Sequence, residues 1–377
     1  MLNIVNLIDD LSATNFGIFN AAVATASSLN NRHGILSYVI VANGQSPVPV
    51  EATQGIEELR FATDITDVRN LIRGWATDAS TIIASHGCWQ RPTRIAAKLS
   101  MEGLPWIYHP HGMLEPWSLS QRRWKKKIYF ELVERRLVSR AKLVRAVSGP
   151  ERMRLRTLLP SNQVGLLPNC VAPLRGNNDI KRGGNEVVQT KCDATTRYLF
   201  LGRLHRKKAV SELAKAFAEC CRSGLQSSHL TIAGPDDGEM TIVRRIADQS
   251  DGCVSVVGPI YGEPKRQLLA ESHFFVLPSH SEGLPTSILE AMQHGCVPII
   301  SDGCNFPEVF EANLGLCVEP KTDSITQVLR RSGELSDRKF AELSEGCQKF
   351  IEDHYETDRI ADRQLMLYES VLARNDL

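Results

Sequence analysis

Pro278-Ser-His-Ser-Glu-Gly-Leu-Pro-Thr-Ser-Ile-Leu-Glu-Ala-Met292 is flanked by two short apolar runs, Phe274–Leu277 and Val297–Ile300. Those runs are too short for helices and are made of aromatic and branched residues, so they read as strands buried on both faces. From Thr286 onward, Ile288, Leu289, Ala291 and Met292 recur at helical spacing. The order is therefore strand, tight loop, helix, strand, the repeating unit of a parallel sheet covered by helices. Gly283 lets backbone approach a ligand closely, and the helix start after Leu284 and Pro285 offers unpaired N–H groups, a setting that suits an anion.

The same alternation extends outward. Tyr198–Leu201, Leu230–Ala233 and Val254–Val257 read as further strands, separated by helices such as Val210–Cys221, whose Val210, Leu213, Ala214 and Phe217 share a face. Upstream, Leu2–Ile8, Leu36–Val41, Thr81–Ala84, Trp106–His109 and Leu143–Val147 repeat the pattern, with a helix expected over Ile18–Leu29. Between Ala172 and Thr196 it stops, in a segment rich in Gly, Asn, Lys and Arg. The expected class is α/β: a Rossmann-like domain over 1–171, a linker over 172–196, a second Rossmann-like domain over 197–349, and a helical stretch in 350–377 that crosses back onto the first domain. With 377 residues, 42% of them apolar, the chain can build two cores. In doubly wound domains ligands lie at the carboxyl ends of the strands, so a facing pair would bind them in a central cleft.

Composition excludes several classes. Forty-four basic and 43 acidic residues leave a net charge of +1, so no overall field draws the chain to nucleic acid. Ten cysteines without a CxxC pair suit neither a zinc site nor a spaced disulfide framework, which points to reduced thiols in a cytoplasm. Leu2–Ile8 runs straight into Asp9-Asp10 without a basic flank, unlike a signal peptide, and no apolar run approaches the roughly 20 residues of a membrane span. The expected location is cytoplasmic, free or on the inner membrane surface.

Candidate chemistry clusters at strand ends. Phe200-Leu-Gly-Arg-Leu-His-Arg-Lys-Lys208 joins a strand to a helix and crowds cations against that helix start. Alone they oppose the macrodipole; around a phosphate they would converge with backbone N–H groups. A solvated basic loop is the alternative. Glu282 and Glu290 flank the second loop, where carboxylates suit sugar and ribose hydroxyls. For Glu290 a capping box with Ser287 is the competing account, and for Glu282 plain solvation. In the first half, His86-Gly87 and His111-Gly112 both follow strands.

The second half, with its two glutamates separated by seven intervening residues and followed by Gly295–Ile300, resembles the retaining glycosyltransferases of family 4, whose fold is GT-B. The resemblance extends to Gly202-Arg203 with Lys208, to Gly258 after a strand, and to Leu167-Pro-Asn-Cys-Val171. It implies that Arg203 and Lys208 neutralise a nucleoside diphosphate and that Glu290 holds the ribose. It further implies that Glu282 and His111 touch the donor sugar, and that backbone at Gly202, Gly258–Ile260 and Gly283–Pro285 contacts the nucleotide. Ala209 stands where the family commonly has glycine, and Phe16-Gly17 where it often has two glycines, leaving Gly17 for close backbone approach. Retention of anomeric configuration follows from the same resemblance.

No DxD-like pair stands in a strand–loop setting; Asp9-Asp10 and Asp236-Asp237 read as loop carboxylates, and Arg203 with Lys208 can neutralise charge as a metal would. Transfer is thus expected to need no metal or cofactor. Residues 121–145 carry ten Lys or Arg and two Glu, with Trp124, Ile128, Leu132 and Val133 among them. They read either as a basic amphipathic helix on an anionic membrane or as a solvated surface helix. A lipid-linked or lipopolysaccharide-type acceptor follows from the first account; the expected function is transfer to a saccharide or lipid-linked acceptor in polysaccharide or lipopolysaccharide synthesis. A sugar-nucleotide epimerase or hydrolase, or a binding protein without catalysis, are the competing functions.

Overall fold

Runs of Val, Ile and Leu that bury both faces pair in parallel, because a helix of ten or so residues returns the chain to the same edge each time. In a computed structural model describing residues 2–12, 15–43, 53–75, 80–121, 123–174, 195–225 and 227–373, they form two sheets. The first contains β1 (Leu2–Ile8), β2 (Leu36–Val41), β3 (Glu58–Phe61), β4 (Ser80–His86), β5 (Trp106–His109), β6 (Leu143–Ala146) and β7 (Val164–Leu166), in the order β3-β2-β1-β4-β5-β6-β7. The second contains β8 (Thr196–Leu201), β9 (Ser228–Ala233), β10 (Val254–Gly258), β11 (Phe274–Leu277), β12 (Val297–Ile300) and β13 (Leu316–Cys317), in the order β10-β9-β8-β11-β12-β13. Every pairing is parallel.

Both sheets are doubly wound. The chain leaves β1 through β2 to β3, then restarts on the other side of β1 at β4; β8, β10 and β11 repeat the manoeuvre. Strand order therefore reverses between β1 and β4 and between β8 and β11, the points where such sheets open a ligand crevice.

The chain divides into one unit of residues 1–172 with 356–377 and another of 173–355. Expected linker residues 175–194 lie outside the described residues. The expected helix over 350–373 is two: Asp337–His354 in the second unit, and Thr357–Leu372 in the first. The break falls where the Thr357 N–H donates to the Val171 carbonyl at 3.0 Å. The last helix then lays Ala361, Tyr368 and Val371 on a core of Ile4, Leu29, Ile82, Ile107 and Leu143. Each large side chain so buried contributes about 1.5–3 kcal/mol. Polar pins add to this: the Thr25 hydroxyl donates to Gln364 at 2.7 Å, and Arg32 and His33 both meet Asp362 at 2.7 Å. The helix expected over Ile18–Leu29 is likewise two, Phe16–Val23 and Ala26–His33, parted at that buried Thr25.

Candidate functional site

In the second unit the loop after β8 can lie against the loop after β9 only because glycines meet there. A Cβ on Gly234, whose φ is +151°, would stand 1.9 Å from the Gly202 carbonyl oxygen, and one on Gly202 would come 3.2 Å from the Lys208 side chain. Lys208 is thereby buried, unusual for a lysine, and its Nζ donates to Glu282 Oε1 at 2.8 Å. Ser279 donates to the same oxygen at 2.7 Å, and Lys207 Nζ lies 3.6 Å from Oε2. Burial works against the Glu282 charge, but Lys207, Lys208 and the Ser279 hydroxyl outweigh it and hold its pKa down at about 2. Backbone fixes the same residue: its N–H donates to Gly303 O and its carbonyl accepts from Asn305 Nδ2, both at 2.6 Å. A Cβ on Gly303 would strike the Ser279 carbonyl at 2.4 Å, so this approach too requires glycine.

Lys208 and Glu282, assigned from sequence to one site, are thus in contact across the switch point of the second sheet. Two lysines against one carboxylate leave a net positive charge there. Arg203 goes elsewhere: its Nη1 pairs at 2.5 Å with Asp237, a residue the sequence offered only as a loop carboxylate. Its neighbour Asp236 does close its own loop, accepting from the Gly238 and Met240 N–H groups. The short helix Arg206–Lys208 ends at Ala209, which takes φ +51°, the left-handed conformation that glycine would adopt more easily. The turn is kept despite the alanine.

Glu290 does not close a capping box. Its helix, Thr286–Gln293, starts after Pro285 with no side-chain cap, and Glu290 accepts instead from Lys265 Nζ at 2.7 Å. Lys265, on the helix Gly262–Glu271 that follows β10 and Gly258–Ile260, was missed in sequence because nothing local ties it to a residue 25 positions on. Gly258 has φ +75° and its carbonyl accepts from the Gly234 N–H at 2.7 Å, while Leu284 is buried beside the half-buried Gly283.

In the first unit, β4 and β5 run in register so that His86 and His109 end side by side. His111 follows with φ +50° and Gly112 with φ +71°, a pair of left-handed residues that turns the chain back beside the strand ends. His86 Nδ1 is 2.8 Å from His111 Nε2, and His86 Nε2 is 3.0 Å from Asn6 Oδ1 on β1. Arg145 Nη1 donates to His109 Nδ1 at 3.3 Å, and the same guanidinium holds the Leu167-Pro-Asn-Cys-Val171 stretch through the carbonyls of Leu167 and Pro168. Burial and then the Arg145 charge push His111 down to about 3; His86 and His109 are likewise lowered well below the usual range, first by burial. All three imidazoles are neutral at neutral pH.

Glu151 fixes the turn itself. Its oxygens accept from the Gly112 N–H at 2.9 Å and the Val147 N–H at 2.7 Å. Burial, followed by the nearby Glu115, raises it to about 7 against the pull of those N–H groups and Arg145. No sequence signal marked Asn6, whose partner His86 is 80 positions away, or the reach of Glu151 to Gly112, 39 positions back, although Ser148 to Glu151 at the start of a helix is a local pattern. A Cβ on Gly17, near the start of Phe16–Val23, would meet nothing within 4 Å, so packing leaves that surface open.

His86, His109 and His111 bring ring nitrogens within 4.8 Å of one another, as a metal centre would. Yet the cationic Arg145 donates into the cluster, and among the described residues every ring nitrogen except His111 Nδ1 stands in a hydrogen bond, His109 Nε2 with Tyr368 at 3.3 Å. The arrangement is that of a neutral hydrogen-bonded chain. Residues 121–145 form no single helix: Arg145 is buried in β6 and Glu134 is buried, whereas Trp124, Ile128 and Leu132 are 70%, 57% and 55% exposed. Among the described residues no helix is long and apolar enough to cross a membrane, and the nine cysteines are free thiols.

Comparison with known proteins bears on the family and the fold. Residues 195–332 match the family model described as glycosyl transferases group 1, and 40–170 that of a glycosyl transferase 4-like domain, together more than half of the chain. The amylovoran biosynthesis glycosyltransferase AmsK of Erwinia amylovora is 31% identical over 138 residues, 34% of this chain and 33% of that protein. The putative teichuronic acid biosynthesis glycosyltransferase TuaC of Bacillus subtilis is 29% identical over 125 residues, 33% of this chain and 29% of its own. The matches thus span about a third of those relatives. Anabaena Alr3699/HepE, solved in complex with UDP and glucose, superposes with a TM-score of 0.73 over 98% of this chain and 100% of that one at 16% identity, a likeness of fold. With two parallel Rossmann-like sheets of the GT-B kind and both family models matched in order, the chain belongs to the group 1 glycosyltransferases.

Proposed function

We propose that this chain is a retaining, metal-independent glycosyltransferase that moves a sugar from a nucleoside diphosphate to a saccharide or lipid-linked acceptor during polysaccharide or lipopolysaccharide assembly. The observation that carries the reading is the Lys207–Lys208–Glu282 cluster at the switch point between β8 and β11, beside a helix start that no side chain caps. Two ammonium groups and unpaired N–H groups suit a diphosphate, whose charge grows as the bond to the sugar breaks. Lys207 and Lys208 would neutralise it, with Arg203 joining them by giving up Asp237, while Glu282 and His111 would hold the sugar and Glu290 with Lys265 would meet the ribose.

In the reaction the bond from the anomeric carbon to the diphosphate oxygen breaks while the acceptor oxygen bonds on the same face. The acceptor proton passes to the departing phosphate oxygen, so no enzyme nucleophile is needed. The cationic side chains take the place a divalent ion would otherwise fill. The UDP and glucose bound to HepE, and the amylovoran and teichuronic acid biosynthesis for which AmsK and TuaC are named, support this class of substrate.

The test is thermal stabilisation by a panel of nucleotide sugars followed by transfer assays with chelator present; a ligand at a hundred times its dissociation constant adds about 2.7 kcal/mol. No stabilisation by any member sinks the reading, conversion of donor without acceptor favours an epimerase, and an inverted product anomer overturns retention. For the acceptor, the exposed Trp124, Ile128 and Leu132 stripe, with exposed Lys125, Lys127, Arg136 and Arg140 nearby, suits an anionic membrane surface. Sedimentation with anionic vesicles that is unchanged by Trp124→Ala at low salt removes the membrane from the account.

A further inference from the structure

The hydrogen bonds at the first switch point fix which nitrogen carries each proton. Asn6 Nδ2 donates to the Tyr38 carbonyl at 3.3 Å, so its Oδ1 faces His86 and can only accept. His86 therefore carries its proton on Nε2, and its Nδ1 is a lone pair. That lone pair lies 2.8 Å from His111 Nε2, which must then be the protonated nitrogen of a neutral imidazole. His111 Nδ1 is left as an acceptor with no hydrogen-bond partner among the described residues. A parallel deduction orients His109: the guanidinium of Arg145 has no acceptor, so His109 Nδ1 accepts from it. Nothing in this pattern serves packing alone, since an apolar side chain at 86 would fill the same buried space without the penalty of desolvating an imidazole. His111 is moreover held in a left-handed conformation that non-glycine residues keep only when surroundings enforce it.

We infer that Asn6 and His86 are positioning residues that lock His111 as the Nε2–H tautomer, so that its Nδ1 accepts a hydrogen bond from a hydroxyl of the donor sugar. The inference rests on the transferase reading for the identity of the ligand but not for the tautomer. A neutral acceptor recognises a hydroxyl and rejects a group without a proton to give, so the pair Asn6–His86 selects for a free hydroxyl at the sugar position that reaches His111.

The experiment is long-range proton–nitrogen NMR on protein labelled with 15N-histidine, joined to kinetics and UDP binding for His86→Leu, His86→Asn and Asn6→Leu. In the wild-type chain His111 should show an unprotonated Nδ1. His86→Leu and Asn6→Leu should let both tautomers appear and lower kcat by roughly tenfold, the scale of one hydrogen bond, with UDP affinity held within about twofold. His86→Asn, which returns an acceptor near the place of Nδ1, should restore the tautomer and most of kcat. A protonated His111 Nδ1 in the wild type, or a tautomer indifferent to His86→Leu, overturns the inference. Absence of UDP binding by the wild type would sink the transferase reading while leaving the tautomer result standing.

Discussion

The loops at the switch point of the second unit hold full charges in contact, two lysines and one glutamate, whereas those of the first hold three imidazoles that burial keeps neutral. Both stand at the carboxyl ends of strands where the order reverses, so topology alone does not decide what each binds. The difference lies in what the chain spends its buried polar groups on. A preorganised cluster of net positive charge suits a ligand whose own charge changes during reaction. A neutral chain of directed donors and acceptors suits one recognised by its hydroxyls.

Lys208→Met breaks the charged side of this contrast and should have the largest effect. Removing one partner of a buried pair costs about 3–5 kcal/mol, moderated here by Lys207 at 3.6 Å. Transfer should fall by roughly a hundredfold to a thousandfold, as when one preorganised group facing developing charge is lost. Urea unfolding and single-turnover assays read the two separately. The double change Lys208→Met with Glu282→Gln should recover stability without recovering transfer; equal recovery of both would mean that the cluster serves only the fold.

Acid should separate the two units. Glu282 has a folded pKa of about 2 against 4.5 unfolded, so its stabilisation is complete above 4.5 and disappears only as pH falls towards 2. Such a shift corresponds to about 3 kcal/mol. The histidines run differently. His111 binds its proton near 3 in the fold and near 6.5 when unfolded, so stability drains from the first unit as pH falls below 6.5; His86 and His109 act in the same direction. Glu151, raised to about 7 from 4.5, takes up its proton in the fold first and offsets part of the loss between those values. All five tryptophans, at 75, 89, 106, 117 and 124, belong to the first unit. Tryptophan emission should therefore change between pH 6 and 4.5 before the circular dichroism of the second unit's helices is lost. Coincident transitions would show that the units unfold as one.

Much of this contrast is legible in the order of residues along the chain. Ten strands announce themselves as buried branched or aromatic runs, while Glu58–Phe61 is a polar edge strand and Val164–Leu166 and Leu316–Cys317 are too short to carry a period. Lys208 and Glu282 could be assigned because each sits in a strand–loop–helix motif. Their contact, 74 residues apart in sequence, could not be read from spacing. The same holds for Asn6 with His86, Glu151 with Gly112, Lys265 with Glu290, and Arg203 with Asp237: residue type is local, and pairing is a property of the closed fold.

A smaller effect sharpens the comparison inside the second unit. Lys265 and Glu290 are each more than a quarter exposed, so their ion pair is screened and Lys265→Met should cost about 0.2–1 kcal/mol of stability. If the pair holds Glu290 for the ribose, calorimetry should find UDP bound a few-fold more weakly, the scale of one modest hydrogen bond. Unchanged affinity would separate Lys265 from the nucleotide and leave it as a surface pair.

The smallest expected change is the one that tests whether the alanine disturbs the turn after Arg206–Lys208. Ala209 occupies φ +51° with its methyl fully buried. Ala209→Gly would relieve about 1 kcal/mol of left-handed strain. It would also give up about 0.8 kcal/mol of methyl burial and free the unfolded chain by a further 0.4–1 kcal/mol or so. The terms leave a net loss of about 0.2–0.8 kcal/mol, so thermal unfolding should show a slight destabilisation. Because Lys208 is already seated on Glu282 in the alanine chain, UDP affinity should stay the same in the glycine variant. A clear gain in affinity would mean that the alanine holds the turn away from its best position for a diphosphate.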